Sequence, residues 1–576
     1  MDMRLALSMA VVDPRIALGA VVVLLSCARP SPQGATTSAS VAPAAPQRTL
    51  VLAVRTEPPS LSDRPFVSTT PVLDTVPLFN AELDRKDERG QSSPYLAEAL
   101  PTVGTESWRV LPDGGAETTY RLKPNLTWHD GQPLTANDFV FAWHVYATPD
   151  LGASRSLPFE PMQEVSAVDD RTFVIRWREI YADADQLGTS FPPLPRHILE
   201  KDFSNLDPST FPTLAYWSTE YVGVGPFRLT RWEPGSFIEG DAFPGFVLGA
   251  PKVDHVKAQV IPDANTAVAN LLSGTVHFIG QYILSPDNIP SLESQWGADG
   301  GTILYSPVDL RGGWVQQRPE FVSPAALLDV RVRQALAHAL DRAAGNEALY
   351  AGRGILADTC LSPLAPFYSQ VEPVLQKYSY DPRASQQLMQ EAGFAKGSDG
   401  FYVDRDGSPL EISVADLAST QNDHENAAVV DGLRRSGYDA QMNVLASNAT
   451  RDLEAQAKLS GLFVQGCGAT LNRLQQFTST QVARPENHWA GMNRIGWVSP
   501  DYDRAYQAFT QTLDSSERIR DVAEMHRLLS QQLPIIPYWL RPVITAYSRD
   551  IKGPIARQTA DVQYSVLDVW NWSWSS

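Results

Sequence analysis

Cysteine is scarce in this chain, and the residue patterns that bind metals are missing. The 576 residues include 3 cysteines and 9 histidines, with no CxxC and no HExxH pattern among them. Structural zinc sites need several such ligands at short, regular spacing. The sequence therefore predicts no metal site and no bound cofactor.

Basic residues are outnumbered by acidic ones. The chain carries 47 Lys and Arg against 65 Asp and Glu, which gives a formal net charge of -18. A surface of this sign repels the phosphate backbone unless it contains a local basic patch. We therefore expect no nucleic-acid partner.

Apolar runs of membrane-spanning length are also missing. The uninterrupted run Ile16 to Leu25 is shorter than the about 17 to 25 residues that a transmembrane helix needs. It ends in Leu24-Leu25-Ser26-Cys27, which resembles the lipobox of bacterial lipoproteins. Residues 1 to 26 are thus predicted to be a lipoprotein signal peptide, with Cys27 lipidated and holding the protein on a membrane. A buried apolar helix with an incidental cysteine is the alternative.

A tether follows the predicted lipidation site. Residues 27 to 48 are rich in Ser, Thr, Ala and Pro, and they contain no acidic residue and few large apolar ones. Such a composition cannot bury enough surface to pack as a core. We expect a flexible segment between the lipid and the folded part, which would be exported to the cell envelope.

Two further cysteines, Cys360 and Cys467, lie in the folded part. In an oxidising compartment they could form a disulfide, but sequence spacing does not reveal their distance. Two buried free thiols are the commoner arrangement. The sequence leaves both possibilities open and favours the thiols.

The folded part has the length of several domains, at roughly 150 residues each, and its pattern alternates between strands and helices. Residues 49 to 54 form a β-branched and aliphatic run that predicts a buried strand. Thr135 and Asp138 have the spacing of a helix capping box. Apolar residues recur at helical spacing after Asp329, from Val332 to Leu340. The alternation predicts mixed α/β lobes.

Four segments together resemble the family 5 extracellular solute-binding proteins, the peptide-binding components of ABC importers. They are TTYRLKPNLTWHDGQPLTANDFVFAW (118–143), YVGVGPFRLTRWEPG (221–235), DVRVRQALAHALDR (329–342) and DPRASQQLMQEAGF (381–394). They occur in the order of that family. The resemblance extends from residue 49 to about residue 550.

The resemblance implies an α/β fold of the two-lobed periplasmic binding protein type, similar to class II, with a subdomain inserted in the first lobe. Lobe I would comprise residues 49–90, 206–283 and 541–576, the inserted subdomain 91–205, and lobe II 284–540. The ligand would bind in the cleft between the lobes. Because the chain crosses between the lobes twice, hinge closure is the expected motion.

One departure from the family concerns the ligand. Peptide-binding members present an aspartate in lobe II that pairs with the terminal ammonium of the peptide. The corresponding stretch here, residues 462–469, contains no acid. An ammonium buried without a counter-charge is unfavourable, so the identity of the cargo stays open.

Candidate ligand contacts follow from the family's layout. Glu57 and Phe66 come just after the first strand, where the family places cleft residues. In lobe II, polar and aromatic side chains near the family's ligand position suit a wet cleft. The candidates there are Gln465, Cys467, Asn487, His488, Trp489, Asn493, Arg494 and Trp497. Ordinary loop packing is the alternative for most of them.

The resemblance implies a monomeric, non-enzymatic receptor that captures a peptide-like or other small solute. Its partner would be an ABC permease with its ATPase subunits. Two other functions remain open: a secreted hydrolase of peptides or glycans, motivated by acid pairs such as Asp501 and Asp503, and a lipoprotein that senses a ligand for a signalling partner.

Overall fold

The computed structural model describes residues 48–62, 64, 74–151, 157–296, 300–446, 449, 452–468, 470–560, 562 and 564–575. The predicted signal peptide, Cys27, nearly all of the predicted tether and Phe66 lie outside these residues. Within them, no helix combines the length and the apolar character that crossing a membrane requires.

The strands of the described residues are numbered along the chain. They are β1 Thr49–Val54, β2 Asp84–Lys86, β3 Ser92–Pro94, β4 Trp108–Val110, β5 Ala116–Arg121, β6 Met162–Asp169, β7 Thr172–Trp177, β8 Phe227–Glu233, β9 Phe237–Ala242, β10 His255–Val260, β11 Phe278–Ile279, β12 Gly301–Val315, β13 Ile355–Leu356, β14 Ala395–Lys396, β15 Tyr402–Val403, β16 Glu411–Leu417, β17 Asp439–Leu445, β18 Leu462–Gly466, β19 Ile535–Ser548, β20 Ile551–Lys552 and β21 Ser573–Trp574.

The α-helices of the same residues are numbered likewise. They are α1 Val76–Phe79, α2 Ala136–Tyr146, α3 Arg196–Asn205, α4 Ala264–Leu272, α5 Ile289–Trp296, α6 Val330–Ala339, α7 Arg342–Tyr350, α8 Tyr368–Val371, α9 Pro382–Glu391, α10 Thr420–Ser436, α11 Leu453–Ala457, α12 Pro500–Gln511 and α13 Ser515–Gln532.

One mixed sheet runs through both lobes. In the described part of the chain it has eleven strands in the order β17, β16, β18, β12, β19, β11, β1, β10, β9, β8, with β13 beside β19. The antiparallel strands β12 and β19 are 15 and 14 residues long, and they pair along most of their length. β11 pairs with one end of β19, and β18 pairs with the opposite end of β12. The two lobes are therefore the two ends of this sheet, joined through β12 and β19.

Separate cores stabilise the two lobes. In the first lobe, α4 and α5 cover one face of the sheet, where Ile289 and Leu292 pack with Ala53 and Ile261. The helix that begins soon after residue 284, the predicted start of lobe II, thus packs on the first lobe, and the chain crosses into the second lobe within β12. In the second lobe, α6 and α9 cover one face, and α12 and α13 cover the other.

The inserted subdomain is a four-stranded antiparallel sheet in the order β4, β5, β7, β6, covered by α2. It also contacts the second lobe. The backbone N–H of Ala182 donates to the carbonyl of Thr510 at 2.8 Å, and Arg518 of α13 pairs with Asp183 at 2.5 Å. The insertion therefore bridges from the first lobe to the helices of the second.

Several sequence predictions are confirmed. The mixed α/β fold is present, and α2 begins immediately after Thr135, with the reciprocal capping box to Asp138 in place. α6 buries Val332, Ala335 and Leu336, as its helical spacing predicts.

The preference for free thiols at Cys360 and Cys467 is wrong. The two residues form a disulfide with a Cα–Cα distance of 5.8 Å, inside the core that contains Trp314 and Phe463. The bond attaches the segment after β13 to the residue that follows β18. It closes a loop across a sequence separation of 107 residues, a distance that the sequence alone does not show.

The two glycines of the YVGVGPF segment let two backbones touch. The N–H of Gly225 donates to the carbonyl of Phe79 at 2.9 Å. A Cβ on Gly225 would overlap the backbone of Phe79 and Asn80, and one on Gly223 would overlap the carbonyl of Phe79. The glycines are therefore needed for close packing against the end of α1.

We expect Gly225→Ala to lower the free energy of unfolding by about 1–3 kcal/mol, because neither backbone can move away easily. The measurement is urea unfolding followed by tryptophan fluorescence. Gly188→Ala is the matched control, since a Cβ there makes only ordinary van der Waals contacts with Asp84. Equal stability of the two variants would contradict the packing argument.

Candidate functional site

The strand directions place a cleft between the lobes. The parallel strands β1, β10 and β11 of the first lobe and β16, β17 and β18 of the second all run toward the middle of the β12–β19 pair. Their carboxyl ends therefore face one another. From Ile303, level with the end of β11, to Arg311, level with the end of β18, β12 extends roughly 26 Å at the usual rise of a strand. Open α/β sheets bind ligands beyond the carboxyl ends of their strands.

The floor of the cleft contains a buried ionic network. Arg541 of β19 donates to Asp309 of β12 at 2.7 Å and to Glu425 of α10 at 2.8 Å. Arg311 of β12 donates to the other oxygen of Glu425 at 2.7 Å and to Asp416 at 2.9 Å. The network ties the two crossing strands to the second lobe.

Burial and neighbouring charges shift the pKa in opposite directions for the two least exposed carboxylates of this network, Glu425 and Asp416. For Glu425, burial alone would raise the pKa, but Arg541 and Arg311 outweigh it and lower the pKa to about 2. For Asp416, burial dominates over the attraction of Arg311 and raises the pKa to about 6. Glu425 is therefore the permanent anion at the centre of the network, and it also accepts from the hydroxyl of Tyr350 at 2.7 Å.

The first-lobe wall is formed by the residues just after β1 and β11. Arg55 follows β1 directly and is exposed. After β11, Gln281 donates to Asp74 through its backbone N–H at 2.9 Å and its side chain at 3.2 Å. Tyr282 comes next with a φ of 63°, a left-handed conformation that is strained for a bulky residue. Strain of this kind concentrates at ligand-binding sites.

The second-lobe wall is formed by the residues just after β18. The N–H of Cys467 donates to the carbonyl of Leu310 at 2.8 Å, which fixes the chain against the crossing segment of β12. The disulfide holds the same residue from the side of β13. The chain then turns through Gly468 into a 3-10 helix, Leu471–Phe477, on which Arg473 is exposed.

Few of the predicted contacts lie at this cleft. Gln465 is half-buried near the carboxyl end of β18. Glu57 follows β1, but it accepts from the indole N–H of Trp232 at 2.6 Å. Phe66 lies outside the described residues. Glu57, Phe66 and Gln465 thus remain predictions.

Three other candidates are built into the protein interior. Cys467 is in the disulfide, and the side-chain amide of Asn493 donates to the carbonyl of Trp497 at 2.7 Å. The indole N–H of Trp497 donates to Gln532 at 3.1 Å. Since all three are buried with these partners, we leave them out of the site.

The remaining candidates lie at the other end of β18. Trp489 is near Lys458, which precedes β18, with the ammonium 5.2 Å from the ring centroid. It also lies near Arg318 and Phe321, which follow β12. These neighbours all belong to the far end of the lobe.

The same end of the lobe holds the rest of that group. Asn487 caps a turn by accepting from the N–H of Arg484 at 2.9 Å, and His488 is exposed beside it. Arg494 donates to Gln456 and accepts through its carbonyl from Arg318. The structure therefore does not bring Asn487, His488, Trp489 and Arg494 together with Gln465.

The acid pairs that suggested hydrolysis have structural partners. Asp503 accepts from the N–H of Ser479 at 2.9 Å, and Asp501 pairs with Arg504 on the surface of α12. Among the described residues, no group of three or more His, Cys, Asp or Glu side chains is placed to hold a metal ion.

Sequence reasoning missed Arg55, Tyr282, Arg473 and the ionic network. The signal that could have found Arg55 is its position directly after the predicted strand at residues 49–54. Tyr282 and Arg473 follow β11 and β18, two short strands for which the sequence analysis made no prediction. The network partners are separated by more than a hundred positions in sequence, as Arg311 and Glu425 are, and only the folded chain shows them.

A sheet divided into two lobes, with facing carboxyl ends and two strands crossing beneath them, defines a two-lobed binding protein. Residues 100–488 match the family of bacterial extracellular solute-binding proteins, family 5 Middle, and the chain belongs to this family.

Similar proteins bear this out at the level of the fold and the family. The chain is 25% identical over 464 residues to the oligopeptide-binding protein AppA of Bacillus subtilis, covering 78% of this chain and 79% of AppA. It is 28% identical over 393 residues to the dipeptide-binding protein of Escherichia coli, covering 65% and 68% of the two chains. The crystal structure of NikZ from Campylobacter jejuni in complex with Ni(L-His) is similar with a TM-score of 0.76 at 22% identity, covering 92% of this chain and 100% of NikZ.

Proposed function

We propose that this protein is the receptor of an ABC importer, which captures a peptide-like or other small solute between its lobes and delivers it to a permease with ATPase subunits. It acts without chemical conversion of the solute, as a monomer. Exported by its signal peptide and lipidated at Cys27, it stays beside its transporter at the extracytoplasmic face of a membrane.

The observation that carries this proposal is the cleft. Two facing sets of strand ends, on lobes that share the pair β12 and β19, suit closure over a solute. The pair is irregular at two points inside the crossing segment, between Pro307 and Asp309 and between Arg311 and Gly312. Bulges of this kind bend and twist a strand locally. We place the hinge at these two irregularities.

The relatives support a small-solute cargo. Two of them are named for oligopeptide and dipeptide binding, and NikZ was solved with a nickel–histidine complex. The class of ligand thus varies within proteins of this fold.

Small-angle X-ray scattering of the purified protein tests the proposal. We expect the radius of gyration to fall when a random tetrapeptide library is added, because a bound ligand shifts the population toward the closed form. Native mass spectrometry should then show added mass that corresponds to intact peptides. An unchanged radius together with hydrolysed peptides would contradict the proposal and favour a hydrolase.

A further inference from the structure

Two arginines on opposite walls of the cleft have no acidic partner within the described residues. Arg55 follows β1, and Arg473 lies on the 3-10 helix after β18. Among these residues, Arg55 makes no side-chain hydrogen bond or ion pair. Within the same part of the chain, the one hydrogen-bond contact of the Arg473 guanidinium is with the sulfur of Met492, at 4.0 Å.

The position of Arg473 is set by the backbone beneath it. A Cβ on Gly468 would overlap the Cβ and Cγ of Arg473, so the aliphatic part of this side chain lies directly on the glycine. Gly468 is itself held next to β12, because the preceding Cys467 is hydrogen-bonded to Leu310 and disulfide-bonded to Cys360. The aliphatic part of the arginine is therefore held on the second-lobe wall, and its guanidinium reaches toward Met492, in the segment that also carries Trp489 and Arg494.

The surroundings favour an anion beside each guanidinium. Burial lowers the pKa of Arg473. Burial also lowers the pKa of Arg55, with a further lowering by Arg541 and an opposite contribution from Tyr282. Both side chains are nevertheless exposed to solvent, as expected for residues that line a concave surface.

The acids of the cleft floor already form ion pairs with arginines of the protein. Asp309 and Glu425 pair with Arg541, and Asp416 pairs with Arg311. The wall stretch from Leu462 to Gly468 contains no acid. Among the described residues, the charge without an ionic partner at the second-lobe wall is therefore positive, in a chain whose formal net charge is -18. At the first-lobe wall, Arg55 lies two positions before Glu57, whose carboxylate accepts from the indole N–H of Trp232.

We propose that the solute is a carboxylate-bearing anion, held through its carboxylate by Arg473, with Arg55 as the second cationic contact from the opposite wall. This inference rests on the proposed receptor function and specifies its substrate class. A guanidinium can bind a carboxylate through two parallel N–H···O hydrogen bonds, which gives both affinity and orientation. The cargo needs no ammonium group for this contact.

A matched set of three peptide libraries tests the inference. Random tetrapeptides are offered to the purified protein with free termini, with acetylated N-termini or with amidated C-termini, and captured peptides are quantified by mass spectrometry. We expect the free and the acetylated libraries to be captured. Capture of the amidated library should fall about 10-fold or more, since a hydrogen-bonded charge pair is lost.

Variants assign the contact to Arg473. Arg473→Met should reduce capture of the free library about 10-fold or more, whereas Arg473→Lys, which keeps the charge, should lose less. Gly468→Ala should also weaken capture, because it displaces the arginine. Arg383→Met, at an exposed arginine on α9, is the matched control and should bind like the wild type. Thermal unfolding of each variant shows whether it is folded.

The outcomes separate this inference from the receptor function. Undiminished capture of the amidated library, or equal capture by wild type and a folded Arg473→Met variant, would overturn the carboxylate contact and leave the receptor in place. If the wild type captured none of the three libraries, the carboxylate contact with peptides would fall, whereas a receptor for another small solute would remain.

Discussion

Replacing Glu425 by glutamine is expected to lower the free energy of unfolding by about 3–5 kcal/mol at neutral pH. The side chain of Glu425 has 0% exposure and accepts from Arg311, Arg541 and Tyr350. An amide cannot compensate two guanidinium charges, so both would stay buried without their shared anion. Urea unfolding followed by tryptophan fluorescence measures the loss.

Asp416→Asn is the matched control for this variant. Asp416 contacts Arg311 in the same network, but burial raises its pKa to about 6, so the folded protein tolerates its neutral form. We expect a clearly smaller loss of stability, most visibly at pH 6. Equal losses for the two variants would show that Glu425 is not the central anion of the network.

The pH dependence follows from the same two groups. Glu425 has a pKa lowered from 4.5 to about 2 in the folded protein, so its contribution is present above pH 4.5 and lost as the pH falls through 2. Such a shift corresponds to about 3 kcal/mol. Asp416 acts in the opposite sense, since its raised pKa favours folding below pH 3.8 and loses that effect as the pH rises through 6. Acid unfolding should therefore be steeper in the wild type than in Glu425→Gln.

Removing the disulfide is the second change with a large expected effect. The double variant Cys360→Ser, Cys467→Ser opens a loop across a separation of 107 residues, for which chain entropy predicts a loss of about 4–5 kcal/mol. Because Cys467 precedes the glycine on which Arg473 lies, peptide capture should weaken as well.

Thermal unfolding with and without a reductant measures this effect. The wild type should unfold at a lower temperature when reduced, while the double variant should not respond to the reductant. A wild type that is equally stable in both conditions would contradict a structural role for the bond. Reduced capture with unchanged stability would assign the bond to the binding wall alone.

Much of the fold could be predicted from the sequence because local rules agree with the folded chain. The capping box of Thr135 and Asp138 begins α2, and the apolar spacing after Asp329 gives α6 its buried face. These features depend on neighbours in sequence. The packing of the YVGVGPF glycines against α1 joins segments far apart in the chain and was not predicted.

The site was harder to predict because residues that follow one another in sequence lie at opposite ends of the lobe. Residues 487 to 497 follow β18 closely enough to suggest the ligand position. The chain instead passes back along the lobe through the 3-10 helix Leu471–Phe477, which places Trp489 beside Lys458 at the far end. No periodicity encodes such a reversal. Arg55 and Arg473 are placed on facing walls because β12 and β19 join the two lobes, and this arrangement is visible only in the folded chain.

The placement of β19 also determines when the protein can fold during synthesis. β11 of the first lobe pairs with β19, which is synthesised only after the other strands and helices of the second lobe, and β19 also pairs with β12. The sheet of the first lobe therefore cannot be completed until the second lobe has been synthesised. Late completion of this sheet would keep the nascent chain open during the export that we propose for this protein.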